Sequence, residues 1–178
     1  MTIFVKRLFF QGAAVDCFFD LSRYILIVKG RLGKVTMPLD RKFLFIFRKN
    51  NYQFDMKFFL RRHSKFYANL EKHLRGVTFG WFISLNLIGI QYIMKYSKRY
   101  KFLTFSLGFN SLLKYKVFKD LYVYKKKRNL FFFGWSFDKV FGVARFLRRV
   151  KCLEPYKIKG FIYSGEVIKL RPGKRQKK

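Results

Sequence analysis

Apolar side chains recur along this chain with two different periods. Tyr24-Ile25-Leu26-Ile27-Val28 is a β-branched apolar run that enters the Gly-punctuated segment Lys29-Gly30-Arg31-Leu32-Gly33 and leaves through Lys34-Val35-Thr36-Met37. That pattern predicts a hairpin with a short loop. Phe43 to Arg48 is a second apolar run, able to pair with Tyr52 to Met56 across Lys49-Asn50-Asn51. The period then changes. Phe59, Phe66, Leu70 and Leu74 fall near one face of a helix, with Phe58 and Tyr67 widening it and Arg61, Arg62, Lys65, Lys72 and Arg75 largely elsewhere. Gly76 stands where a helix C-cap is expected.

Val77 to Met94 is eighteen residues without a charge. Its length would suit a membrane span, but its period does not. Val77, Phe79, Trp81, Ile83, Leu85 and Leu87 are apolar at every second position, which is a strand signature, and Asn86 and Gln91 would be costly in lipid. No transmembrane anchor is therefore expected. Further strands are expected at Lys101 to Leu107, Leu121 to Lys125 and Leu130 to Phe133. A second helix is expected from about Phe137, where Phe137, Val140, Phe141, Ala144 and Leu147 make an i, i+3, i+4 stripe. Ser136 is its candidate N-cap and Asp138 complements its positive end. The order is strands, helix, strands, helix, tail. It predicts an α+β fold of two similar small domains, each an antiparallel sheet with a packed helix. The expected division is residues 1–75, residues 76–165, and a basic C-terminal tail over 166–178.

Composition narrows the partners. Forty Lys and Arg against nine Asp and Glu give a formal charge of +31, yet 51% of residues are hydrophobic and 25 are Phe. A disordered basic tail has the first property without the second. The charge must ride on a folded body, which needs a polyanion to offset its self-repulsion. Nucleic acid and an anionic membrane surface both qualify. A small-molecule substrate would need only a few charges. Cys17 and Cys152 lack metal-site spacing and read as two buried or partly buried free thiols. His63 and His73 have no acidic or cysteine partners nearby and read as surface or packing residues. There is no paired-carboxylate motif, P-loop or GxGxxG, and no Ser or Cys with a recognisable catalytic partner. An enzyme is not expected, and no cofactor is implied.

The chemistry-bearing stretch is Leu153-Glu154-Pro155-Tyr156-Lys157-Ile158-Lys159-Gly160-Phe161-Ile162-Tyr163. Pro155 stops the preceding helix and sets an extended path, on which Lys157 and Lys159 would point the same way. Gly160 lets the backbone come close to a neighbour. Tyr156 and Tyr163 offer stacking faces and hydroxyls. Lysines, close backbone and aromatics together suit phosphates and splayed bases. The competing reading is a basic surface loop packed by its two tyrosines. The candidate RNA-binding set extends along the basic side of the helix and down the tail: Arg145, Arg148, Arg149, Lys151, Tyr156, Lys157, Lys159, Gly160, Tyr163, Lys169, Arg171, Lys174, Arg175, Lys177 and Lys178. Lys98-Arg99-Tyr100-Lys101 and Lys125-Lys126-Lys127-Arg128 are further charge runs. The second lies between two strands, as a hairpin tip would.

This stretch resembles the signature of the universal large-subunit ribosomal protein six family, Pro-Glu-Pro-Tyr-Lys-Gly-Lys-Gly-(apolar)-Arg-Tyr, through Glu154, Pro155, Tyr156, Lys157, Lys159, Gly160 and Tyr163. Four more family patterns occur in family order. They are Lys29, Gly30 and Gly33; Gly76, Val77, Thr78, Gly80 and Trp81; Leu85, Leu87, Gly89 and Tyr92; and Phe105, Ser106, Leu107, Gly108, Phe109 and Asn110. Leu153, Ile158 and Ile162 depart from the signature. Ile158 replaces a glycine and disfavours φ > 0, so a different local path is expected there. Ile162 removes an arginine and with it a bidentate phosphate donor.

The resemblance implies a non-enzymatic constituent of the large ribosomal subunit. It would bind rRNA near the stalk base and the sarcin–ricin loop, mainly through its second domain, beside neighbouring large-subunit proteins and close to docking translation factors. Abundant Phe, Tyr, Lys, Ile and Asn with only four alanines (Ala13, Ala14, Ala68 and Ala144) point to an AT-rich genome. Met1 to Gln11 lacks the apolar core and cleavage site of a secretory signal and the length of a transit peptide. The expectation is a mitochondrial ribosome and synthesis inside the organelle. The alternative is a basic membrane-associated organellar protein anchored through residues 77–94.

Overall fold

The computed structural model describes residues 2–10, 12–20, 22–38 and 64–173. Contacts group the chain into two compact units, residues 1–81 with 135–137 and residues 82–134 with 138–178. The expected strands between Phe43 and Met56, and the start of the first helical stripe at Phe58 and Phe59, lie outside the described residues.

In the first unit, β1 (Thr2–Phe10), β2 (Ala13–Asp20), β3 (Ile25–Lys29) and β4 (Lys34–Pro38) form an antiparallel sheet in the order β1-β2-β3-β4. The expected hairpin is β3–β4, closed by a hydrogen bond from Gly30 N–H to Gly33 O at 2.9 Å. Residues near the N-terminus, weighed above only as a targeting segment, are strand β1. Helix α1 (Ser64–Thr78) packs on this sheet. Alternation in the strands places Val15, Cys17, Leu26, Val28 and Met37 in the core with Leu70, Leu74 and Val77 of the helix.

Gly76 is not the C-cap. It lies inside α1, and the helix runs on through Thr78, whose hydroxyl donates to Leu74 O at 3.0 Å. The helix stops at Gly80, with φ of +82°, where Arg75 O accepts from both Phe79 N–H (2.9 Å) and Gly80 N–H (3.3 Å). Gly76 is required for closeness instead. A Cβ there would stand 2.0 Å from Trp135 O.

The second unit contains β5 (Trp81–Ile88), β6 (Ile93–Ser97), β7 (Phe102–Ser106), β8 (Leu113–Lys116), β9 (Tyr122–Lys126), β10 (Asn129–Gly134), helix α2 (Phe137–Val150) and β11 (Gly160–Tyr163). They form one sheet ordered β11-β5-β10-β9 and another ordered β6-β7-β8. The uncharged stretch Val77 to Met94 is therefore the end of α1, strand β5, a turn and the start of β6. No helix among the described residues is long and apolar enough to cross a membrane. The stretch named in the alternative reading, residues 77–94, is thus a helix end and strands rather than one spanning helix. Period two holds from Trp81 onward, whereas Val77 and Phe79 belong to the helix and its exit.

Val140, Val143, Ala144 and Leu147 of α2 are buried, as are Leu85, Leu87, Leu103, Phe105, Leu130, Phe132 and Phe161. Phe105 and Phe161 meet edge-on at 5.4 Å, a favourable geometry for aromatic pairs. The fold is α+β, and its helices and antiparallel ladders match the class read from the sequence.

Candidate nucleic-acid interface

The signature stretch is built on the end of α2. Arg148 and Arg149 occupy its last turn, where cations complement the negative helix end. Beyond Lys151 the chain makes an isolated bridge between Glu154 and Lys159, closing a tight turn over residues 155–158. Ile158 N–H donates to Glu154 O at 2.8 Å, and Glu154 N–H donates to Lys159 O at 3.1 Å. The extended path expected from Pro155 is thus replaced by a turn. Lys157 is exposed on it, while Lys159 is half-buried in the bridge.

Two backbone positions make this turn possible. Ile158 adopts φ of +47°, against the expectation that an isoleucine would divert the loop. Two backbone hydrogen bonds, one of them the bridge itself, hold the turn closed against a left-handed cost of roughly 1–2 kcal/mol. Gly160, at φ of +142°, lies against the end of α2. A Cβ on it would stand 2.9 Å from Cys152 O and 3.0 Å from Lys151 O. The neighbour that Gly160 approaches is therefore the helix terminus. That closeness lets Phe161 N–H donate to Lys151 O at 3.3 Å, so the helix end and β11 are stitched together.

The segment after β11 returns to the same place. Arg171 N–H donates to Pro155 O at 3.3 Å, which sets residues 166–171 beside the turn. Glu166 is the brace. Both terminal nitrogens of Arg148 bond its carboxylate, Nη2 to Oε1 at 2.6 Å and Nη1 to Oε2, and Tyr163 N–H adds a third bond at 3.2 Å. Arg148 hydrogen-bonding holds the Glu166 carboxyl below its usual range, and Glu166 in turn raises the Arg148 guanidinium. The Arg148 guanidinium also lies 4.8 Å from the centroid of the Tyr163 ring, a cation–π distance.

The candidate residues thus divide into two groups. Arg145, Arg149, Tyr156, Lys157, Lys169 and Arg171 are exposed. Arg148, Lys159, Gly160 and Tyr163 are wholly or partly buried and hold the loop in shape. Lys151 is half-buried, its ammonium 4.9 Å from the Phe109 centroid and 5.8 Å from that of Tyr92. Lys174, Arg175, Lys177 and Lys178 lie outside the described residues. Sequence reasoning gave Glu166 no role. Its only signal was being one of so few acids in a basic segment. Cys152, expected to be at least partly buried, is exposed, while Cys17 is buried and both are free. No group of His, Cys, Asp and Glu among the described residues could hold a metal ion.

No family model matches the chain. Individual relatives do. The chain is 30% identical over 170 residues to "Large ribosomal subunit protein uL6m" of Reclinomonas americana, covering 88% of this chain and 91% of that protein. It is 29% identical over 165 residues to "Large ribosomal subunit protein uL6" of Ruthia magnifica subsp. Calyptogena magnifica, covering 88% and 90%. It is also 30% identical over 156 residues to the uL6 protein of Mycoplasma pneumoniae, covering 84% of each.

Proposed function

The chain belongs to the uL6 family of large ribosomal subunit proteins, and from that premise we propose that it binds large-subunit rRNA near the stalk base and the sarcin–ricin loop through the basic junction of α2, the 155–158 turn and the 166–171 segment. It is a structural constituent of the large subunit and not an enzyme. In that position it would support the region where translation factors dock. The similarity to a mitochondrial uL6m protein favours a mitochondrial ribosome as the particle, with the AT-rich residue usage favouring synthesis in the organelle.

One observation carries the reading. Three separate pieces of chain converge at the junction because Gly160 seats β11 on the helix end and Arg171 closes back on Pro155. Each piece carries exposed cations: Arg149 at the helix end, Lys157 on the turn, and Lys169 and Arg171 on the returning segment. The Glu166 carboxylate beside them is turned to Arg148. Exposed Arg and Lys on a rigid backbone suit phosphates whose positions are fixed by folded RNA. Arg148 and Tyr163 brace the surface, while Lys157, Arg149, Lys169 and Arg171 are the contacts.

The test is titration of the full chain with its large-subunit rRNA over a series of salt concentrations. With roughly six phosphate contacts, the observed constant should fall with a log–log slope near −5. Replacing Lys157 and Lys159 by Ala should flatten the slope by about one, the share of exposed Lys157, and deplete the protein from large subunits in sedimentation. A flat salt response of the unaltered chain would remove the mechanism.

A further inference from the structure

The second sheet has a face that the junction does not use. Along β10, Leu130 and Phe132 are buried, so Phe131 and Phe133 point the other way. Their partners across the antiparallel ladder are Tyr124 and Tyr122 of edge strand β9. Phe82 of β5 completes a row. Its ring stacks on Phe131 at 6.0 Å, and Phe131 lies 6.0 Å from Tyr124. The three rings span three neighbouring strands. Tyr122 and Phe133 add a second row at 6.3 Å.

Phe82, Tyr122 and Tyr124 are open to solvent, while Phe131 and Phe133 are half-buried. Phe82 and Tyr124 are each 60% exposed and Tyr122 is 64% exposed. A contiguous aromatic face of this kind marks an interaction surface. Its surroundings indicate the partner. Lys126 follows Tyr122 and Tyr124 on the same face of β9, opposite Asn129. Lys125, Lys127 and Arg128 complete an exposed basic hairpin tip at the end of the rows. Beside Phe82 lies a groove of about 460 Å³, lined also by Ile83, Phe141 and Tyr163, with Ser84 and Ser164 as hydrogen-bonding groups. The unit has 24 lysines and arginines against four acidic residues.

We propose that this face is a second RNA-binding surface, on which unpaired nucleotides stack upon Phe82, Phe131 and Tyr124 while the Lys125–Arg128 tip neutralises their phosphates. Rings in a row with cations at the rim are what single-stranded RNA requires, because every base has a stacking face and every linkage a charge. This differs from the junction, whose exposed groups are cations that suit the backbone of folded RNA. A protein strand adding to the free edge of β9 is disfavoured, since successive lysines on an edge strand oppose such pairing.

The experiment uses the full chain and a ten-nucleotide oligouridylate, with an RNA hairpin of equal charge as the comparison. In one variant Tyr122 and Tyr124 are both replaced by Ser; both are exposed, so the core is untouched. Tyr124→Phe is the conservative control, and Lys157→Ala with Lys159→Ala reports the junction. Loss of oligouridylate binding by roughly tenfold or more in the Ser variant, with hairpin binding within about twofold of the unaltered chain, is the expected result. Tyr124→Phe should retain most of the affinity. The proposal is overturned if the Ser variant binds oligouridylate as the unaltered chain does, or loses both RNAs equally. It is also overturned if the Ser variant keeps its RNA binding but loses a neighbouring protein in the assembled subunit. Loss of hairpin binding in the lysine variant speaks only to the junction, so the two readings fail separately.

Discussion

Gly160→Ala should damage the junction more than any other single methyl group added there. Two costs combine. The residue sits at φ of +142°, a conformation for which an L side chain incurs about 1–3 kcal/mol. The new Cβ would also meet Cys152 O at 2.9 Å and Lys151 O at 3.0 Å. Those are backbone atoms of a helix end and cannot rotate away, so forced overpacking adds about 1–3 kcal/mol. The total is about 2–6 kcal/mol. Gly165→Ala supplies the comparison. Its φ is +85°, but nothing lies within 4 Å of the added Cβ, so only a left-handed cost of about 1–2 kcal/mol applies. For a unit of this size each kcal/mol moves the melting midpoint by about 4–8 °C. Thermal unfolding of the full chain, followed by circular dichroism, should show Gly160→Ala lower by about 10 °C or more and Gly165→Ala lower by about half as much or less. Affinity for rRNA should fall with the first and hold with the second. Equal, small shifts for both would refute the claim that close approach to the helix end is what Gly160 supplies.

Glu166→Gln should cost about 0.5–1 kcal/mol at neutral pH, discounted because both partners are about a third exposed. The folded carboxyl is held below its usual range, so its stabilising contribution is present above that range and is lost as pH falls through the folded value. The difference in urea midpoint between the variant and the unaltered chain should therefore close in acid. Cys17, pushed up to about 11 by burial with a further push from Asp16, should resist alkylation at pH 8 until the chain unfolds. Exposed Cys152 should react at once, as peptide mass spectrometry would report.

Much of the fold was legible where one face of an element is dry and the other wet. The Tyr24–Val28 run, the Phe137 stripe and the runs near Phe105, Tyr122 and Phe132 each located an element within a residue or two. Strands β1 and β2 were missed because charges at Lys6, Arg7, Asp16 and Asp20 break their apolar pattern, and pairing with each other is what makes them strands. Strands β6 (IMKYS) and β8 (LKYK) were missed because lysines interrupt their few apolar positions. Gly76 and Gly80 exchanged roles for a related reason. Either glycine could end a helix, and what sets Gly76 apart is the carbonyl of Trp135, fifty-nine residues further along the chain. At the junction, the resemblance located the stretch and the alternation of lysines did not shape it. Its turn depends on backbone hydrogen bonds, Ile158 N–H to Glu154 O, Glu154 N–H to Lys159 O and Arg171 N–H to Pro155 O, and no pattern of side chains encodes those.

The scarcity of acids explains how a body of such charge can still define a surface. Two of the described carboxylates are matched to cations across long stretches of sequence, Asp120 to Lys139 and Glu166 to Arg148. Each tie joins α2 to a loop: one before β9, one after β11. Neither tie would stabilise much by itself, since partly exposed pairs contribute little. Their effect is positional. An arginine held by Glu166 at the end of α2 keeps β11 and the 166–171 segment in register with the helix. Exposed cations such as Arg149 and Lys157 are carried on that frame. Surplus charge without such ties would merely attract RNA; surplus charge on a fixed frame selects phosphates at particular spacings. The same reasoning separates the two faces of the second unit. The junction is rigid and cationic, and suits a folded backbone, while the aromatic sheet face is uniform along its rows and suits bases whatever their identity.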